Sequence, residues 1–150
     1  MAVTIALPSG YTISDDRNRL DMDAIHAFIS GESYWARGRA REITERAVAH
    51  SLCLGVYSAA GEQVGFARLV TDWTTSAHLA DVYVLPAHRG AGLGKAVVAA
   101  AIGHPDLVTV TRWTLSTADA HGLYAGFGFG PHPEPETQMW RMRQAGSSDQ

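Results

Sequence analysis

The stretch Leu79-Ala-Asp-Val-Tyr-Val-Leu-Pro-Ala-His-Arg-Gly-Ala-Gly-Leu-Gly-Lys95 decides the fold of this chain. A β-branched run feeds a glycine-rich turn that opens directly into the alanine-rich segment 96–102, so it reads as strand, anion-binding loop and helix. Gly90, Gly92 and Gly94 remove side chains that would hold a ligand off the backbone. The uncapped N–H groups of the first helical turn then point at an anion. A phosphate-bearing ligand is the first expectation.

Two familiar phosphate motifs fail on spacing. Gly-x-x-x-x-Gly-Lys-Ser/Thr ending on Gly94-Lys95 needs glycine where Arg89 stands and a hydroxyl where Ala96 stands. Gly-x-Gly-x-x-Gly puts Lys95 or Val97 at its third glycine, depending on where counting begins.

What fits is Arg89-x-x-Gly92-x-Gly94, which resembles the Arg/Gln-x-x-Gly-x-Gly/Ala signature of the GNAT superfamily of N-acetyltransferases. The later block Ala120-His-Gly-Leu-Tyr-Ala-Gly-Phe-Gly-Phe129 is similar to that family's Ala-x-x-x-Tyr-x-x-x-Gly-Phe element, with Tyr124 at the tyrosine. The string from Leu115 to Tyr124 resembles a small bacterial branch of the superfamily. The likeness covers nearly the whole chain.

Outward from the loop, the apolar spacing predicts an α/β fold with a mixed sheet. A first strand is expected at 11–14, and a helix carries the stripe Leu20, Ile25, Phe28 and Ile29, closed by Ser30-Gly31. A loop over 31–37 and a second helix over 39–50 follow. Strands at 52–58 and 63–72 are joined by the hairpin connection Ala59-Ala-Gly-Glu62. A turn at 73–77 leads to a fourth strand at 78–85 and a third helix at 92–103, which Pro105 stops. A fifth strand at 111–116, a fourth helix at 119–127 and a final strand at 138–142 complete the order, with 145–150 as a disordered tail. One domain over 1–144 is expected. The resemblance implies a mostly antiparallel sheet, splayed between the fourth and fifth strands and flanked by about four helices.

Composition narrows the function. Charged residues are only 18% and the net charge is −3, which lacks the basic surplus that nucleic-acid binding requires. No apolar run is long enough to span a bilayer and no signal peptide is evident, so a cytoplasmic protein without a membrane partner is expected. The single Cys53 lies in the strand pattern Leu52-Cys-Leu-Gly-Val-Tyr57, where a buried small hydrophobe is the default. The seven histidines show no zinc-type spacing, and no metal is expected.

The resemblance implies acetyl-coenzyme A as co-substrate and direct transfer to an amine. Edge groups of Val82 and Val84 would pair with the pantetheine arm, as a strand added to the sheet. The backbone from Arg89 through Gly90, Ala91, Gly92, Leu93 and Gly94 to Lys95 would hold the pyrophosphate. Thr117 stands where many relatives carry an asparagine that contacts the same arm. Tyr124 would protonate the leaving thiolate, and Asp81 heads the candidates for general base, with His78 and His121 as alternatives. His78 is read as lying on the opposite pleat to Asp81. Ser33, Tyr34, Trp35, Arg68, His78 and His121 are expected around the acceptor, with Phe66, Asp72 and Trp73 as a possible opposite wall. An Arg68–Asp72 pair would be structural, whereas an Arg68 free for a carboxylate would imply an amino-acid-like acceptor. A larger acyl group, a protein amine, a non-catalytic coenzyme A sensor and a homodimer remain open.

Overall fold

The computed structural model describes residues 2–144. Six strands form one sheet in sequence order: β1 (Thr4–Ala6), β2 (Thr12–Ser14), β3 (Leu52–Tyr57), β4 (Gln63–Thr71), β5 (Ser76–Val84) and β6 (Arg112–Leu115). Every neighbouring pair is antiparallel except β5 and β6, which are parallel. The helices are α1 (Met22–Gly31), α2 (Arg41–Ala49), α3 (Leu93–Ile102) and α4 (His121–Ala125).

Side-chain hydrogen bonds hold the start of α1 and the end of α2. Asp21 caps α1 by accepting the Ala24 amide at 3.0 Å, and Gln63 Oε1 accepts the Asp21 amide at 2.8 Å, which fixes α1 to the start of β4. Arg17 donates to the carbonyls of Val48, in the last turn of α2, and of Ser51, just beyond it, which ties the segment before α1 to the end of α2.

The sheet is covered on both faces. Ile25, Phe28 and Ile29 of α1 and Val48 of α2 pack on Cys53, Phe66 and Tyr83, with Phe28 stacked on Tyr83 at 4.0 Å between ring centroids. On the other face Leu93, Val97, Val98 and Ala101 of α3 meet Leu52, Leu54, Val56, Leu69, Ala77 and Leu79. These strands are buried on both sides, so β3 reads as a continuous apolar run.

Four expectations need correction. A strand at 4–6 precedes the expected first strand. Its residues are all exposed, so it shows no core-facing alternation, and a tight turn over Leu7–Gly10 pairs it with β2. The turn before β5 is shorter than read, because Asp72 accepts the amides of Thr74, Thr75 and Ser76 and closes it early. The ends of the second, third and fourth helices lie inside the expected ranges. The segment 138–142 is not a strand. Met139, Trp140 and Met142 are all exposed, so no single face of it is buried and β6 remains the sheet edge. The expected tail at 145–150 lies outside the described residues.

Candidate active site

The site begins with a bulge. Phe66 faces Tyr83 and Arg68 faces Ala80, so Asp81 and Val82 together oppose the single residue Ala67. Asp81 takes the left-handed backbone conformation, φ 52°, which a carboxamide or carboxylate side chain tolerates better than most. Before the bulge Ala77 and Leu79 face α3; after it Val82 and Val84 lie on that side and Tyr83 faces α1. The extra residue therefore exchanges the two faces of β5, and it brings Asp81 to the same side as His78. Their expected opposition across the pleat does not hold.

Asp81 is the centre of a charged network. Arg68 Nε donates to its Oδ2 at 2.8 Å, Arg39 Nη1 to the same oxygen at 3.0 Å, and Trp35 Nε1 to Oδ1 at 2.8 Å. The carboxylate is 2% exposed. Burial alone would raise its pKa, but the hydrogen bonds from Arg39 and Arg68 outweigh burial and hold it below the usual carboxylate range. Asp81 is thus an anion held by two cations. The Arg68–Asp72 pair does not form, because Asp72 closes its own turn.

A cavity of about 410 Å³ opens over this network, lined by Tyr34, Trp35, Arg39, Arg68, His78 and Asp81 on one side and by Thr117, Asp119 and Tyr124 on the other. Tyr34 packs edge-on against Trp35 and its hydroxyl accepts the Ala118 amide at 2.9 Å, so the loop after α1 reaches across to the loop before α4. Ser33 is not part of this lining. It is buried, donates to the Ile29 carbonyl and accepts the Ala36 amide, which makes it the brace of the loop that presents Tyr34 and Trp35.

The cavity sits where the sheet divides. β5 pairs with β6 only over Ser76–Leu79, and from Ala80 to Val84 it has no strand partner on that side among the described residues. Val82 lines the cavity, while the Val84 carbonyl accepts Arg89 Nε at 3.0 Å. Beyond Val84 the chain turns through Pro86–His88, pinned by a 2.9 Å hydrogen bond between Tyr11 and His88, into the glycine loop. Gly90 (φ 88°) and Gly92 (φ 76°) adopt the left-handed conformation, and a Cβ at either would meet open space. No side chain caps α3, so the amides of Leu93, Gly94 and Lys95 remain available; the Leu93 side chain is buried in the core. Gly94 lies against Leu123 of α4, which places the loop beside the helix that carries Tyr124.

Tyr124 is 9% exposed, its ring edge-on to Phe129. Its hydroxyl has no hydrogen-bond partner among the described residues, and burial, with Tyr34 and Asp119 nearby, raises its pKa. His78 Nδ1 shares a 2.7 Å hydrogen bond with Thr114 Oγ1 across the β5–β6 pair. Burial, then the Arg68 charge, lowers the His78 pKa, so the imidazole is neutral at pH 7. Thr117 Oγ1 accepts the Ala120 amide at 3.0 Å and shapes the turn into α4.

Several expected site residues stand elsewhere. His121 is exposed at the first position of α4 and does not line the cavity. Phe66 is fully buried under α1, and Trp73 is exposed near His104, 6.3 Å between ring centroids. Arg39 belongs to the site and was not anticipated. Its partner Asp81 lies 42 positions away, so no local pattern marks it. Cys53 is buried and burial pushes its thiol up to about 11, as suits an inert core residue. Among the described residues no group of three His, Cys, Asp or Glu is placed to hold a metal, and no helix is long and apolar enough to cross a membrane.

Comparison with known proteins bears on the family and the fold. Residues 49–131 match the family described as acetyltransferase (GNAT) domain. A crystal structure from Xanthomonas campestris, assigned to the GNAT family, is 44% identical over 89% of this chain and 93% of its own, with a TM-score of 0.85. A Deinococcus radiodurans structure at 16% identity shares the fold alone, with a TM-score of 0.69 over 93% of this chain and 94% of its own. A Gibberella zeae protein provisionally named acetyltransferase FG08082 is 33% identical over 57% of this chain, and the match spans 58% of that relative's length.

Proposed function

The chain belongs to the GNAT acetyltransferase family, and from that membership we propose that it moves the acetyl group of acetyl-coenzyme A directly to the amine of a small molecule or amino-acid derivative. The carrying observation is one of adjacency. The edge of β5 left unpaired beyond Leu79 runs on into the uncapped N-terminus of α3, and Gly94 there lies against α4, the helix that carries the buried phenol of Tyr124.

The residues present fit the coenzyme. Gly90 and Gly92 leave open space where a side chain would block a pyrophosphate, and the amides of residues 93–95 supply donors at the positive end of a helix. Arg89 and Lys95 add charge at the same loop. Val82 lies on the unpaired edge of β5, where an amide-bearing arm can pair as an added strand, and it lines the cavity together with Thr117; at Val84 the arm would share the carbonyl that Arg89 Nε already reaches. When bound, the coenzyme supplies a thioester whose leaving group is a thiolate.

This chain's own groups then manage two protons. Tyr124 stays protonated at neutral pH because burial disfavours the phenolate, and its Oη donates to the departing sulfur. In the tautomer whose Nδ1–H donates to Thr114 Oγ1, His78 carries its lone pair on Nε2 and takes the proton of the incoming ammonium. Asp81 is a positioning residue: its negative charge is already shared by two guanidinium groups, which leaves it a poor proton acceptor. The exposed Met139, Trp140 and Met142, close to the sheet edge at β6, favour a homodimer. A coenzyme A thioester as substrate and a single buried thiol favour the cytoplasm.

Thiol release from acetyl-coenzyme A, measured against a panel of small amines, tests this reading. Amine-dependent release that collapses in Tyr124→Phe supports it. Binding of the coenzyme without turnover against any amine would favour a sensor instead.

A further inference from the structure

The charge around Asp81 does not balance. Arg39 and Arg68 both reach this one carboxylate, so the inner end of the cavity keeps an excess of one positive charge. The arginines are more exposed than the carboxylate between them: the side chains of Arg39 and Arg68 are 23% and 13% exposed, against 2% for Asp81. Arg68 commits Nε to Asp81 and Nη1 to Ser51 Oγ, which leaves Nη2 without a partner among the described residues. The remaining acid of the cavity, Asp119, lies on the α4 side and forms no ion pair with either arginine. A half-buried guanidinium pair with one carboxylate is a site short of an anion.

We propose that Arg39 and Arg68 bind the carboxylate of an amino-acid acceptor, so that the substrate is a free α-amino acid or a close derivative with its carboxylate intact. The proposal rests on the acetyltransferase reading for what happens to the amine, but the binding of the carboxylate is separable from it. Planar, forked donors match a carboxylate better than a tetrahedral or neutral group. Asp81 fixes both forks, since each arginine gives it one or more N–H groups and keeps others for the substrate. Trp35 and Tyr34 offer an aromatic wall for the acceptor's body.

The test is calorimetric titration of the full chain, with and without coenzyme A, using the twenty common L-amino acids and three amines that lack the carboxylate: phenethylamine, tryptamine and histamine. Thiol release from acetyl-coenzyme A is followed in parallel. At least one amino acid should bind, and the carboxylate-free partner of any aromatic or histidine ligand should bind about tenfold more weakly or worse. Arg39→Gln, which leaves the Arg68–Asp81 pair in place, should erase that preference while coenzyme A affinity is unchanged; Arg68→Gln should do the same wherever it folds. The proposal is overturned if no amino acid binds, if the carboxylate-free amines bind equally well, or if the preference survives Arg39→Gln. Carboxylate-selective binding with no thiol release would keep the subsite and sink the transferase reading. Thiol release with carboxylate-free amines alone would do the reverse.

Discussion

Arg68 Nε and Asp81 Oδ2 meet at 2.8 Å across a β-bulge, and that bulge is what lets them meet. In an unbroken ladder the residue after Ala80 would point to the opposite face of the sheet. The left-handed step at Asp81 sends its carboxylate to the face that carries Arg68, where Arg39 and Trp35 also close on it.

Asp81→Asn should therefore cost stability more than a surface substitution would. Asparagine accepts the left-handed backbone, so the loss is electrostatic: two half-buried guanidinium groups would face a neutral amide. A destabilisation of about 3 kcal/mol is expected, read from urea unfolding at pH 7. A change within experimental scatter would mean that the network carries no structural load.

Tyr124→Phe removes a hydroxyl with no protein partner while keeping the ring against Phe129. Stability and coenzyme affinity should hold, and kcat should fall by about a hundredfold or more. A variant with undiminished turnover would remove Tyr124 from the chemistry.

The pH profile reports His78. Burial and the Arg68 charge lower its pKa, so the imidazole becomes cationic only at a pH below the usual histidine range of about 6.5. On the proposal that His78 takes the ammonium's proton, the neutral form is the active one. The enzyme-linked acid limb of kcat/KM should therefore appear below that pH and rise to a plateau above it, and His78→Gln should lower the plateau and remove the limb. A limb that persists unchanged in the variant would assign it to another group.

The loop admits a sharper test by shape. Gly92→Val forces a β-branched residue into φ 76° and puts a side chain into the open space above the α3 amides. Acetyl-coenzyme A affinity, by calorimetry, should weaken about tenfold or more. Equal affinity would place the pyrophosphate elsewhere.

Much of this architecture is legible in the sequence, because the signals involved are local. The glycine loop, the apolar stripe of α1, the hairpin at 59–62 and the apolar runs of β3 and β5 each rest on neighbouring residues. The bulge at Asp81 is not legible: β5 keeps a strict alternation of burial through it, and only the change of partner, from α3 to α1, reveals that the faces have exchanged. Arg39 was missed for the same reason, its role depending on a contact with a distant strand. The misread strand at 138–142 shows the converse, an alternating apolar pattern that this fold leaves exposed.

Acetyl-coenzyme A is proposed to lie from the N-terminus of α3 along the unpaired edge of β5 to Tyr124, and backbone amide shifts recorded by NMR during titration with coenzyme A check that path residue by residue. Shifts concentrated at residues 80–84, 89–95 and 117–124 are predicted; shifts confined to other surfaces, or none at saturating coenzyme A, would contradict it.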